Sequence, residues 1–86
     1  MKIFSENELA QIAFGYYDGA EIVDRIEGEC DRWTQNITTI FKYENKLYAL
    51  DWYKALTEYQ EDEFYNQPYE VKKVKKMYIC SNLIFY

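Results

Sequence analysis

Histidine is absent from this chain, proline occurs once, and only three glycines and two cysteines are present. Without imidazole there is no Ser-His or Cys-His nucleophilic pair, no histidine metal site and no use of the commonest general base. The serines Ser5 and Ser81 stand in no nucleophile-elbow context. Gly15, Gly19 and Gly28 are scattered, so no glycine-rich loop is available to cradle a phosphate. Cys30 and Cys80 form no CxxC motif and read as free thiols acting as small apolar side chains. No stretch approaches the roughly 18–20 apolar residues that cross a bilayer. The segment from Met1 to Glu6 carries no apolar signal-peptide core, so a cytoplasmic location is expected.

What is present is apolar and aromatic. An apolar fraction of 49% and an aromatic fraction of 20% argue for a folded chain rather than a disordered one. With 86 residues the expectation is a single domain over 1–86. A domain of that size buries only about 60–65% of its unfolded surface, which leaves little depth for a substrate cleft. Carboxylates are plentiful, but a paired-acid hydrolase needs a walled cleft. Glu61-Asp62-Glu63 lacks the alternating ligands and central glycine of a calcium loop. The reading is therefore a binding protein, not an enzyme, with no cofactor and no metal.

The formal charge of −5 is unevenly spread. Residues 1–31 carry a net −6 and residues 56–70 a net −5, whereas 71–86 carry +4 through Lys72, Lys73, Lys75 and Lys76. The overall sign disfavours direct nucleic-acid binding by phosphate neutralisation and suits a partner with a basic groove.

Ser5-Glu6-Asn7-Glu8 reads as a capping box, followed by Leu9 and Ile12 at helical spacing. This predicts a short helix at about 6–14, closed by Gly15, with Asp18-Gly19 as a turn. Alternation over 21–27 predicts a strand, and Gly28 a bend or bulge. From 33 to 43, Trp33, Gln35, Ile37, Thr39, Phe41 and Tyr43 share one face, with Thr34, Asn36, Thr38, Ile40 and Lys42 on the other. After a turn at Glu44-Asn45-Lys46, Leu47 to Lys54 returns with Tyr48, Leu50 and Trp52 on one face, giving an antiparallel hairpin. Residues 56–68 read as an acidic connection with at most one helical turn, ended by Pro68. Val71 to Ile79 reads as one last strand, either bulged or two-sided because Val71 and Val74 are out of phase, its lysines suited to a sheet edge. The expected fold is α+β: a short N-terminal helix packed on a three- to four-stranded antiparallel sheet. The apolar tail from Leu83 to Tyr86, or an open sheet edge, leaves a homodimer open.

Two features point to recognition. The acidic stretch around Glu58, Tyr59, Glu61, Asp62 and Glu63 suits docking against a basic surface, although a solvated loop is the plainer reading of it. Ten tyrosines exceed what so small a core can bury. Tyrosine supplies large contact area at low entropic cost, so Tyr59, Tyr65 and Tyr69 are candidate anchors beside those acids. An alternative uses the C-terminal lysines with Tyr69 and Tyr78 as a stacking platform for single-stranded nucleic acid. A third reading is a self-assembling virion component.

The order Arg32-Trp33, the hairpin Ile40-Phe41-Lys42-Tyr43 to Leu47-Tyr48, the run Leu56-Thr57-Glu58-Tyr59-Gln60-Glu61-Asp62-Glu63-Phe64 and Gln67-Pro68-Tyr69-Glu70-Val71 resembles a group of small acidic proteins encoded by phages and prophages of Gram-positive bacteria. The likeness spans about 32–76. Small acidic phage proteins include anti-CRISPR and other counter-defence inhibitors. The resemblance therefore implies an inhibitor in the host cytoplasm that occludes a host protein, such as a nucleic-acid-binding effector nuclease. It assigns no functional residue.

Overall fold

The computed structural model describes residues 3–58, 61–75 and 77–80. They form one helix and five strands: α1 (Glu6–Ala13), β1 (Ala20–Cys30), β2 (Thr34–Tyr43), β3 (Lys46–Ala55), β4 (Tyr69–Val74) and β5 (Met77–Cys80). The strands make one antiparallel sheet in the order β1-β2-β3-β4-β5. The α+β class holds, but the sheet has five strands where three or four were expected.

The additional strand comes from the C-terminal segment. Val71 and Val74, three residues apart on β4, point to opposite faces, and the chain then reverses: Val74 pairs with Met77, and Lys75 sits at φ 58°. A positive φ at a turn is normally advertised by glycine or asparagine, so a lysine there hides the hairpin from the sequence.

The helix starts as its capping box predicts. The Glu8 amide donates to Ser5 Oγ at 3.1 Å, and the Ser5 amide donates to Glu8 Oε1 at 3.0 Å. Gly15, at φ 82°, follows the last turn in the left-handed region, which glycine enters without steric cost. Phe14 is the C-terminal cap rather than part of the helix.

The expected β2–β3 hairpin forms, with Ile37 opposite Trp52, Thr39 opposite Leu50 and Phe41 opposite Tyr48, and with Lys46 paired to Tyr43 rather than in the turn. Its turn is Glu44-Asn45, both at positive φ, which matches the twist of a two-residue hairpin. Trp33 lies outside the strand: Asp31 Oδ1 accepts from the Trp33 and Thr34 amides at 2.8 and 2.7 Å, making a polar turn between β1 and β2. The pairing of β1 with β2 shifts between Ile22 and Asp24 and again between Glu27 and Cys30. Gly28 lies in the second irregularity, where a Cβ would stand 3.2 Å from the Asn36 carbonyl oxygen.

The two faces of the sheet differ. On the helix face, Phe4, Leu9, Ile12 and Ala13 pack with Ile37, Phe41, Tyr48, Leu50 and Trp52. On the far face a smaller cluster holds Ile40, Ala49 and Val71, flanked by Leu47 and Tyr78. Tyr78 on β5 donates its hydroxyl to Asp24 Oδ2 on β1 at 3.3 Å. Side chains from the first and last strands therefore meet on the far face, and the sheet curls there into a half-barrel. No helix among the described residues is long and apolar enough to cross a membrane.

Candidate functional site

The acidic connection does not hang in solvent as an independent loop. After β3 it returns along the strand and makes an antiparallel bridge, with the Tyr53 amide donating to the Glu63 carbonyl at 3.0 Å and the Glu63 amide to the Tyr53 carbonyl at 2.9 Å. Alternation about that bridge sends its side chains to opposite faces. Phe64 goes to the helix face and stacks on Trp52 at 5.1 Å between centroids. Asp62, half-buried, accepts from the Ala55 amide at 2.7 Å. Glu63 and Tyr65 go to the far face.

Far-face positions on β3 and β4 meet them there. Tyr69 is opposite Ala49, which places it beside Asp51, and its hydroxyl donates to Asp51 Oδ2 at 3.1 Å. The other Asp51 oxygen accepts from the Thr38 hydroxyl. The Tyr53 and Tyr65 rings lie 6.5 Å apart. The neighbouring Glu63 carboxylate raises the Tyr65 phenol pKa above the usual value, with a smaller contribution from desolvation. Burial, and then the neighbouring Asp51 charge, push the Tyr69 phenol up to about 12. Tyr78 is raised by burial and by Asp24. Near neutral pH these phenols are protonated donors facing carboxylates, and each pair holds its own geometry.

Beside Tyr53 the far face opens into a groove of about 220 Å³ lined also by Glu29, Asp31 and Asn36. Asp31 is held below its ordinary range by the backbone amides of Thr34 and Trp33. The groove thus presents carboxylates next to an aromatic ring.

Of the residues expected to bind a partner, Glu63, Tyr65 and Tyr69 come together on this surface. Glu58 and Glu61 are exposed on the flanking segment. Asp62 is turned to the opposite face and bound to backbone, and Tyr59 lies outside the described residues. The set also includes Asp51, Tyr53, Glu29 and Asp31, which sequence reasoning had not marked. The alternation that placed Tyr48, Leu50 and Trp52 inward already put Asp51 and Tyr53 on the other face, and this was the available signal. The lysines of the stacking alternative are divided, with Lys72 opposite Ile79 and Lys73 opposite Tyr78 and therefore on different faces. Lys76 and the apolar tail lie outside the described residues.

Comparison with family models, with curated protein sequences and with solved structures yields no match.

Proposed function

We propose that this chain works by binding a basic segment of a partner protein across the far face of its sheet. The observation that carries this reading is the gathering of Tyr53, Tyr65 and Tyr69 with Asp51 and Glu63, continuous with the acidic groove at Glu29 and Asp31. A lysine or arginine entering the groove meets a carboxylate and an aromatic ring at once, and both attract a cation. The exposed ring of Tyr65 supplies contact area with few rotatable bonds. Glu58 and Glu61 extend the negative surface and steer the approach of a basic partner.

The resemblance to small acidic phage-encoded proteins, a group that includes counter-defence inhibitors, gives this reading a specific form. The partner is then a host nuclease whose basic nucleic-acid groove is occluded, in the host cytoplasm, without any reaction being catalysed.

The test is a titration of the folded protein with an arginine-rich peptide followed by calorimetry. Binding should weaken as salt rises, because the exposed charges are screened. Tyr65→Ala and the charge reversals Glu58→Lys and Glu61→Lys touch exposed positions that the fold does not use. Tyr65→Ala is expected to weaken binding roughly tenfold, the loss of a modest anchoring residue. Affinity unchanged by all three substitutions would refute the proposal.

A further inference from the structure

The helix face carries a cavity of opposite character. It holds about 280 Å³ between the end of α1, the middle of β1 and the end of β3, and Phe14, Trp52, Arg25, Lys54 and Asp62 line it. That volume is at the small end of ligand pockets, which run from roughly 300 to 1,000 Å³. It suits a ligand of one or two rings.

The strand register puts both cations on this face, one on each side of β2. Arg25 is opposite Thr39 on β1 and β2, and Lys54 is opposite Gln35 on β3 and β2. Thr39 accepts from Trp52 Nε1 at 3.0 Å, so the indole lies across the strip between the two cations. Among the described residues neither Arg25 nor Lys54 has an ion-pair partner, in a chain whose acids outnumber its bases by 15 to 10. One oxygen of Asp62 is already taken by the Ala55 amide. The aromatic wall is fixed by its own packing: Phe14 meets Trp52 edge to face at 5.5 Å and Phe64 at 6.3 Å. Phe14 remains 47% exposed. The cavity therefore offers an open ring, a buried indole edge and two uncommitted cations.

We infer that this cavity binds a small aromatic anion, with its ring against Phe14 and its carboxylate or phosphate between Arg25 and Lys54. The site is separate from the tyrosine–carboxylate surface and does not depend on it. Both cations stand on the sheet, so the anion is met by groups whose backbones are already held in place.

The test follows Trp52 fluorescence in a Trp33→Phe background, which leaves Trp52 as the single indole. Four probes are titrated: phenyl phosphate, benzoate, neutral benzamide and inorganic phosphate. Phenyl phosphate and benzoate are expected to give saturable changes, and the tighter of the two identifies the anionic group preferred. Benzamide and inorganic phosphate should bind roughly tenfold more weakly, each lacking half of the recognition. Arg25→Gln and Lys54→Gln should each weaken phenyl phosphate binding roughly tenfold while leaving thermal unfolding unchanged. Equal affinity for benzamide and benzoate, indifference to both substitutions, or no saturable response to either anion would overturn the inference.

Discussion

The two faces of one sheet are built from alternate residues of the same strands, yet they do different work. On β3, Tyr48, Leu50 and Trp52 enter the core beneath α1, while Asp51 and Tyr53 look the other way. The polar group buried on the helix face, Thr39, is satisfied by the Trp52 indole N–H. On the far face, among the described residues, Ile40, Ala49 and Val71 form a small apolar cluster, and around it carboxylates are held by tyrosine and threonine hydroxyls. The first face removes apolar area from water and carries most of the stability. The second places charges and rings where a partner can reach them. On the proposed reading, a period of two separates stability from recognition along a single strand.

That division can be challenged by substitution. Trp52→Ala should have the largest effect, a loss of about 3–5 kcal/mol in urea denaturation, because a large side chain leaves a cavity under the helix. Ile40→Ala, on the smaller far-face cluster, should cost about 2 kcal/mol by the same measurement. Equal losses would mean that the far face is a second core rather than a recognition surface. Ser5→Ala removes one arm of the capping box and should cost about 1 kcal/mol, seen as a lower midpoint of thermal unfolding.

Tyr69→Phe should act through pH. The folded phenol is raised from 10.0 to about 12, so its contribution is complete below pH 10 and lost as pH rises through about 12. Removing the hydroxyl should make the stability of the variant fall less steeply than that of the parent across that window, as measured by urea midpoints at successive pH values. Tyr65→Ala should be the smallest, within about 0.5 kcal/mol, since an exposed ring contributes little to folding.

Local signals in the sequence accounted for much of this arrangement. The capping box from Ser5 to Glu8 and the alternation through β2 and β3 both act between near neighbours, and both were legible. The β4–β5 hairpin was not, because Lys75 takes a positive φ with no glycine to mark it. The direction of Asp62 was also hidden. It depends on the connection pairing back onto Tyr53, a contact no local pattern encodes. The approach of Tyr78 to Asp24 spans the whole sheet and follows from its curvature. Glu63, Tyr65 and Tyr69 were marked by composition, but their meeting with Asp51 and Tyr53 required the fold.

Amide-resolved NMR during titration with an arginine-rich peptide reports on both faces in one experiment. The account predicts salt-sensitive shifts concentrated at Glu29, Asp31, Asp51, Tyr53, Glu63, Tyr65 and Tyr69, with Phe14, Arg25 and Lys54 unmoved. Shifts confined to the helix face, or spread evenly over the acidic residues of both faces, would contradict it.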